Sequence, residues 1–399
     1  MGGKSIVVPK GVPTSDIDLW STELLDNPYP GYKVLRDAGP AVWLNHHHIW
    51  AITRYNSVRE ALLNADAFTS TAGVSMNPGI NQASKGAMLT TDDPEHRRLR
   101  RMFVRPLTPA AVSALQGRLA ALAEARLTEL LEVGEFDAVT QLAHYLPLTV
   151  VTELVGLGAR GRQSMLAWAA ALFNAQGPEN YPLTLSGTEL AGEALGYLGS
   201  LEREELDPEG WAAALFRAAD DGELSYDEAR AMLLDYTAPA LDTTINGLSS
   251  ALWLFGHHPA QWDLLCDSPN LVDSAIAESL RMEAPIRWFT RVLTREYSFD
   301  DITLSQGSRA LMLYGCANRD ERRYASPDTF NIARDARGHI AFGYGTHACP
   351  GMHLAKLEIR TVLSILARKV QRFHILEEKR ELNNSLRGLS KLVIRVESV

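Results

Sequence analysis

The stretch Phe342-Gly343-Tyr344-Gly345-Thr346-His347-Ala348-Cys349-Pro350-Gly351 places one cysteine in a glycine-rich loop directly before a helical run. All three of its glycines can adopt positive φ angles, which would let the backbone approach a flat group closely. A helix that begins near Pro350 would point its amide dipoles at the Cys349 sulfur and favour the thiolate. The stretch therefore predicts a thiolate ligand for a haem iron. The alternative is a buried packing thiol, because free cysteine usually behaves as a small hydrophobe.

The same ten residues match the haem-ligand loop of the cytochrome P450 family, Phe-Gly-x-Gly-x-His-x-Cys-x-Gly, at every fixed position. This resemblance implies a single P450 domain over residues 1–399, with an α+β fold that is mainly α, a long central helix and small β-sheets. It also implies monooxygenase activity on haem b (iron protoporphyrin IX), with Cys349 as the iron ligand and Phe342, Gly343 and Gly351 in the cofactor cradle. Electrons would come from NAD(P)H through a ferredoxin reductase and an iron–sulfur ferredoxin.

The composition independently favours one large globular domain. The 399 residues contain no linker or internal repeat, and 46% hydrophobic residues with 22% charged residues suit a core large enough to enclose a ligand. Cys266, Cys316 and Cys349 are too few and too far apart for a disulfide framework, a structural zinc site or an iron–sulfur cluster. The net charge of −9 argues against nucleic-acid binding. No apolar run approaches a membrane span or signal peptide, so we expect a cytoplasmic protein.

The coarse secondary-structure pattern is helical in the middle and mixed at both ends. A helix over 27–39 precedes a hairpin formed by 40–44 and 48–53, and helical periodicity dominates from Pro94 to about residue 256. Further predictions are a helix start at Thr108-Pro109, helices over 271–284 and 351–370, strands within 290–313 and 385–397, and a loop-rich section over 318–341. A capping box at Ser225 to Glu228 starts a helix that continues to Gly256, about 45 Å long at the usual rise.

Within that helix, Pro239-Ala240-Leu241-Asp242-Thr243-Thr244 contains residue types that suit a helix interior poorly. Proline removes a backbone hydrogen bond, so the helix should open there into a polar notch. The segment resembles the oxygen-activation motif of the P450 family, and this implies that Asp242 and Thr243 are the catalytic pair that delivers protons. Ala240 stands where the family usually has glycine, which leaves the shape of the notch open. The alternative is a proline kink in which Thr243 bonds back to a carbonyl.

Two further charged patterns match motifs of the same family. Glu278 and Arg281 share a helix face and resemble its Glu-x-x-Arg pair, which implies a structural lock against the loops near 318–320 and 328–330.

The run Asp93-Pro94-Glu95-His96-Arg97-Arg98-Leu99-Arg100-Arg101 resembles the helix that contacts the haem propionates. This implies that His96 and Arg100 bind the propionates together with Arg291 and His347, because two buried carboxylates need cationic partners. Arg97, Arg98 and Arg101 would point outward and could dock an acidic ferredoxin.

The segments at 70–90, 170–185, before Asp242 and after Pro285 should line an apolar substrate pocket. The candidate lining residues are Val74, Met88, Leu89, Leu172, Phe173, Asp235, Ala238, Ile286, Phe289 and Leu389. The stretches at 240–247 and 383–389 resemble a P450 subgroup that oxidises para-substituted aromatic acids, which favours hydroxylation or O-demethylation of a small aromatic substrate. The arginine and serine positions that hold the substrate carboxylate in that subgroup are Ala72, Leu234 and Asp235 in this sequence. Because an aspartate should repel a benzoate, we expect a neutral or cationic arene that is anchored by Asp235.

Several alternatives stay open at this stage. The substrate could be a larger secondary metabolite or terpenoid, and the protein could be a haem-binding sensor without turnover. A peroxide-driven enzyme of the same fold is disfavoured by Asp242-Thr243. The triplet His46-His47-His48 predicts a solvated turn more readily than a metal site, because neighbouring hairpin residues face opposite ways. Gly2-Gly3-Lys4-Ser5 lacks the rest of a phosphate loop and predicts a flexible terminus.

Overall fold

The computed structural model describes residues 11–398 and is built mainly from α-helices. The helices are α1 (Thr22–Asp26), α2 (Tyr29–Ala38), α3 (Tyr55–Leu63), α4 (Pro78–Ala83), α5 (Glu95–Phe103), α6 (Pro109–Ala114), α7 (Gln116–Val133), α8 (Thr152–Val155), α9 (Ala159–Ala175), α10 (Pro182–Ser200), α11 (Trp211–Asp220), α12 (Tyr226–Thr237), α13 (Asp242–His257), α14 (Pro259–Asp267), α15 (Val272–Met282), α16 (Tyr314–Ala317) and α17 (Met352–Lys369). The segment Gly2-Gly3-Lys4-Ser5 lies outside the described residues.

Three small sheets complete the fold. Their strands are β1 (Thr14–Ser15), β2 (Ala41–Leu44), β3 (Ile49–Ile52), β4 (Phe68–Thr69), β5 (Glu135–Asp137), β6 (Trp288–Leu293), β7 (Tyr297–Phe299), β8 (Ile302–Leu304), β9 (Arg309–Leu313), β10 (Val370–Leu382) and β11 (Arg387–Ser398). The strand orders are β1-β2-β3-β9-β6-β4, β10-β11-β5 and β7-β8. This mainly α, α+β architecture confirms the predicted fold class.

Local signals in the sequence account for several boundaries. The predicted hairpin forms as β2 and β3, with Trp43 opposite Trp50. Thr108 caps α6, and at the start of α12 the Ser225 hydroxyl accepts from Glu228 N (3.2 Å) while Ser225 N donates to the Glu228 carboxylate (2.7 Å). Each cap satisfies a backbone N–H group that the first helical turn leaves without a partner.

The predicted long central helix is divided into α12 and α13. Residues 238–241 between them are not helical. Pro239 has no N–H group for the carbonyl of Asp235, and its ring would clash with that carbonyl in a continuous helix. The prediction of a local opening is confirmed, whereas the prediction of one helix to Gly256 is wrong.

Other predictions failed where distant contacts decide the structure. Strand β10 was not predicted, because its sequence is mostly polar. It forms because it pairs with β11 along most of its length. The helical middle is interrupted by β5, which pairs with β11, and by wide helical turns at Ala138–Ala143 and Pro147–Val151. His47 is not solvated: its side chain is 4% exposed, and Nε2 lies 3.0 Å from Asp18 Oδ1.

The main hydrophobic core lies between the helices, and it includes the buried faces of α7, α13, α15 and α17. Two further clusters surround the six-stranded sheet. Helix α13 is buried on nearly every side, so it forms the central element of the domain. The site described below lies between α13, α17 and the sheet.

Candidate active site

The cysteine loop connects the sheet-side core to α17. Gly343 and Gly345 adopt φ angles of +68° and +70°, as predicted, but Gly351 has a φ of −81° and is the N-cap of α17. A Cβ atom on Gly345 would lie 2.5 Å from the carbonyl oxygen of Leu62, so both the angle and the space require glycine there. The loop is held tightly in place beside the first turn of α17.

The Cys349 side chain lies at that helix N-terminus. Burial raises the pKa of the thiol, whereas the backbone N–H groups of Gly351 and Met352 and the charges of Arg100 and Lys356 act in the opposite direction. Cys349 N also donates to Phe342 O (2.8 Å), which closes the loop. The sulfur therefore has the donors and cations that a metal-bound thiolate requires.

Cys349 lines a cavity whose edge is formed by Arg100, Arg291 and His347, with His96 behind His347. The rings of His96 and His347 lie 4.2 Å apart, and burial together with neighbouring cations lowers the pKa of His96 to about 4. His96 Nε2 is buried and has no hydrogen-bond partner among the described residues. Arg291 is 3% exposed, and the one hydrogen bond its guanidinium makes in the described chain goes to Thr290 O (2.8 Å). Arg100 donates to Ala348 O (2.6 Å).

This edge fits the acid groups of a haem. A buried guanidinium and a buried imidazole nitrogen without partners are costly unless an anion or acceptor completes them. The nearby acid, Asp92, already accepts from Thr69 and Ser70 and lies 3.7 Å from His347 Nε2. A bound haem would supply the missing carboxylates at this edge, with its iron near Cys349.

The gap between α12 and α13 places one member of the predicted catalytic pair, Thr243, on the cavity wall. Thr243 lines the cavity, and its hydroxyl donates to Pro239 O (2.8 Å). Asp242 is not part of the cavity lining: the residue is 8% exposed, and Oδ2 has no hydrogen-bond partner in residues 11–398. Burial, followed by the negative charge of Glu381, raises the pKa of Asp242 to about 8.

Both side chains of the Glu278–Arg281 pair are 0% exposed. Arg281 donates to both carboxylate oxygens, at 2.7 and 2.9 Å, and also to the carbonyls of Asn318 and Pro327. Arg334 donates to Glu278 Oε1 at 3.1 Å. The pair therefore joins α15 to the loop section of 318–341, in the region that the motif implied.

Five of the predicted substrate-binding residues line the cavity, namely Met88, Leu89, Asp235, Ile286 and Phe289. Five others lie outside its wall. Val74 and Leu389 are 5% and 1% exposed and belong to the packed interior. Phe173 packs into the core around the sheet, and Ala238 packs against the cluster between α9 and α10. Leu172 also belongs to that cluster. These side chains have the predicted character, but their elements turn them away from the cavity.

Asp235 has a contact that the sequence did not reveal. Its carboxylate accepts from Met88 N (2.7 Å) and Leu89 N (3.3 Å) and so fixes the short 3-10 turn Met88–Thr90 against α12. Burial raises the pKa of Asp235 to about 7 in spite of those two donors. Asp235 therefore shapes the cavity wall as well as lining it.

Sequence reasoning also missed several lining residues. Trp211, Tyr236 and Phe103 form an aromatic corner in which Tyr236 stacks on Phe103 at 4.0 Å. Glu358 on α17 is buried in the lining, and burial raises its pKa to about 8. No motif marked them, because their positions depend on how α5, α11, α12 and α17 pack.

Of the three arginines of α5 that were predicted to point outward, two are exposed and one is not. Arg97 is 82% exposed and pairs with Asp93 at 2.8 Å, and Arg101 is exposed. Arg98, in contrast, is partly buried and pairs with Glu95 and with Glu228 of α12. The prediction that Arg98 points outward is wrong, because Glu228 holds its guanidinium against α12.

Comparisons with known proteins agree with this geometry. A family model described as Cytochrome P450 matches residues 267–397. The chain is 35% identical over 392 residues to cytochrome P450 CYP199A2 of Rhodopseudomonas palustris, covering 97% of this chain and 95% of the relative. It is 30% identical to the vitamin D(3) 25-hydroxylase of Pseudonocardia autotrophica, covering 88% and 89%. The solved structure of P450BioI with a ligated acyl carrier protein has a TM-score of 0.85 and 25% identity, covering 94% of this chain and all of that one.

The fold and the cysteine loop thus define a haem-thiolate protein. The chain belongs to the cytochrome P450 family and is a monooxygenase. Within residues 11–398, no helix combines the length and apolar character needed to cross a bilayer. The same residues contain no cluster of three or more His, Cys, Asp or Glu side chains suited to a metal ion.

Proposed function

We propose that this P450 hydroxylates or O-demethylates a small aromatic substrate that carries no carboxylate. The observation that carries the proposal is the charge pattern of the cavity wall. Its two arginines, Arg100 and Arg291, both lie at the histidine edge. The charged group on the wall formed by α12 and the Met88–Thr90 turn is Asp235, and the remaining wall there is apolar or aromatic. A benzoate would meet an acid and no cation at that wall.

The residues around the cavity supply the chemistry that the haem does not. Thiolate-ligated haem provides the activation of dioxygen. The Thr243 hydroxyl donates to Pro239 O, which leaves its lone pairs free to accept a hydrogen bond from water in the cavity. Asp242, with a pKa of about 8, holds a proton near neutral pH and can release it toward the gap between α12 and α13. Hydroxylation of a methoxy carbon would release formaldehyde and leave the phenol.

Asp235 has acceptor capacity left for a substrate. Two of its lone pairs accept from Met88 N and Leu89 N, and a carboxylate offers about four acceptor sites. A phenol hydroxyl or an ammonium group could therefore donate to it, whereas a carboxylate could not.

The spin-state change of the ferric haem, followed as a shift of the Soret band, tests this proposal. Para-substituted arenes matched in size, bearing a carboxylate, a hydroxyl, a methoxy or an amino group, are titrated into the wild type and Asp235→Asn. We expect a shift with the neutral or cationic compounds, and weaker binding of them by Asp235→Asn. A shift with the carboxylate alone, or unchanged affinity in Asp235→Asn, would refute the proposed anchor. No shift with any compound would point to a larger substrate.

We also infer that a ferredoxin delivers the electrons at the face of α5 that carries Arg97 and Arg101. Both side chains are exposed, so an acidic partner can reach them. The Arg97–Asp93 pair is exposed and is expected to contribute little to stability, so it can exchange partners at small cost.

Charge reversal at this face tests the docking site. Arg97→Glu and Arg101→Glu should raise the KM for ferredoxin several-fold at low salt and leave haem content unchanged. Arg160→Glu is the matched control, because Arg160 is an exposed arginine of α9 that also pairs with a carboxylate, Glu193. An equal effect of the control would contradict the inference.

A further inference from the structure

The acid of the proposed catalytic pair has an unusual surrounding. Asp242 is 8% exposed, and its Oδ2 atom is buried without a partner in the described chain. A buried carboxyl group is normally paired with a cation or fully hydrogen-bonded. The charged neighbour that most affects Asp242 is another acid, Glu381.

The tip of the β10–β11 hairpin brings this second acid to α13. Gly388 approaches α13 so closely that a Cβ atom there would lie 1.8 Å from Asn246 Oδ1. Asn246 follows Asp242 by one helical turn, so the two residues share a face of α13. Glu381 is the register partner of Gly388, and the hairpin contact therefore sets Glu381 beside Asp242.

Glu381 connects the buried acid with solvent. Its side chain is partly exposed, and it makes no ion pair or side-chain hydrogen bond within residues 11–398. Burial also raises the pKa of Glu381. The group thus lies where a proton can enter from water.

The two arginines nearest the tip of the same hairpin pair with another acid. Arg380 pairs with Glu283 at 3.1 Å and lies over the ring of Trp253 at 4.1 Å. Arg387 pairs with Glu283 at 2.7 Å. On α13, the neighbouring side chains Thr243, Thr244 and Asn246 carry no charge. Among residues 11–398, neither Asp242 nor Glu381 has a counter-ion, so a shared or exchanged proton would limit their repulsion.

We propose that Glu381 is a positioning residue for proton delivery, which passes protons from solvent to Asp242. When Asp242 releases its proton toward Thr243, the resulting carboxylate takes one from the Glu381 carboxyl group, and Glu381 regains one from water. One proton enters and one leaves, with no change of oxidation state. This inference rests on the proposed role of Asp242.

An infrared titration of the ferric holoenzyme tests the coupling of the two acids directly. The C=O band of the protonated Asp242 carboxyl group is assigned by its loss in Asp242→Asn. In Glu381→Gln the midpoint of this band should move to lower pH, because a negative neighbour has been removed, whereas Glu381→Asp should stay close to wild type. Glu377→Gln is the control, since Glu377 is an exposed acid of the same strand that pairs with Lys391.

Turnover separates a relay from a purely electrostatic neighbour. With the arene that gives the largest spin-state shift, Glu381→Gln should form about tenfold less product per dioxygen, which is less than the roughly 10²-fold or more that a direct proton donor contributes, because Glu381 acts through Asp242. It should also show a larger solvent isotope effect, and Glu381→Asp should restore both quantities. An unmoved infrared midpoint, or a moved midpoint with unchanged coupling, would overturn the proposal. Unchanged coupling in Asp242→Asn would instead refute the proposed role of Asp242, and the relay with it.

Discussion

The buried carboxyl group of Asp242 should make the protein less stable as the pH rises. In the unfolded chain this group ionises near its ordinary pKa of 3.8, whereas in the folded protein burial and Glu381 raise the pKa to about 8. Between these two values the folded state binds more protons than the unfolded state. The free energy of unfolding therefore falls as the pH rises from about 4 to about 8, and stays at its lower value above that range.

Replacing Asp242 by asparagine removes this dependence. Since each pKa unit corresponds to about 1.4 kcal/mol, a rise from 3.8 to about 8 sets a ceiling of roughly 6 kcal/mol on the gain in stability. Water penetration and relaxation of the folded state lower that ceiling, and we expect a gain of about 2–4 kcal/mol at alkaline pH. The same variant should lose coupled turnover, so stability and activity would change in opposite directions.

Denaturant unfolding of the holoenzyme at about pH 5 and about pH 9 measures this difference. Asp242→Asn should gain much more over wild type at the higher pH than at the lower one. Asp301→Asn is the control, because Asp301 is exposed in a turn and its replacement should leave the pH dependence unchanged. An equal stability difference at both pH values would refute the reasoning, because it would mean that Asp242 is ionised in the folded protein.

Three further substitutions test other parts of the site. Gly345→Ala should lower the haem content per chain, because it adds about 1–2 kcal/mol of backbone strain and brings the new Cβ atom to 2.5 Å from Leu62 O. The control is Gly307→Ala, which should leave the haem content unchanged, because Gly307 has a similar φ of +80° but open space around it. Glu278→Gln should cost about 3–5 kcal/mol in unfolding experiments, since it leaves the buried Arg281 without its counter-charge. Asp37→Asn, in the exposed Lys33–Asp37 pair, should change the free energy of unfolding far less. The affinity of wild type for a phenol or amine should rise with pH through about 7, because Asp235 ionises there. Spin-state titrations of Asp235→Asn should show no such dependence. A wild-type affinity that does not change with pH would contradict the proposed anchor.

The sequence predicted those parts of the molecule that local chemistry determines. The ten residues around Cys349 contain their own turn geometry and helix start, and the capping box at Ser225 sets the start of α12 whatever packs against it. Pro239 likewise opens its helix through its own ring. These features depend on neighbours within a few residues, so a pattern in the sequence is enough to find them.

The failures come from contacts between distant parts of the chain. The sequence around Arg98 predicts an outward side chain, but the fold places Glu228 of α12 beside it. The sequence predicts Asp235 as an acid without partners in the chain, but Met88 N and Leu89 N donate to it in the folded protein. Phe173 and Leu389 have the right character for a pocket, but their side chains face the core. The effect of Glu381 on Asp242 has the same origin, because it depends on the contact of Gly388 in the β10–β11 hairpin with Asn246 of α13.

We expect Cys349 to hold the haem iron as a thiolate. The absorption spectrum of the reduced protein with carbon monoxide tests it directly, because a thiolate ligand moves the Soret band far to the red of its position with a histidine ligand. We expect the red-shifted band in wild type, Cys266→Ser and Cys316→Ser, and its replacement by the histidine-type band in Cys349→His. A wild-type spectrum of the histidine type, or a red-shifted band that survives in Cys349→His, would mean that Cys349 is not a thiolate ligand of the iron.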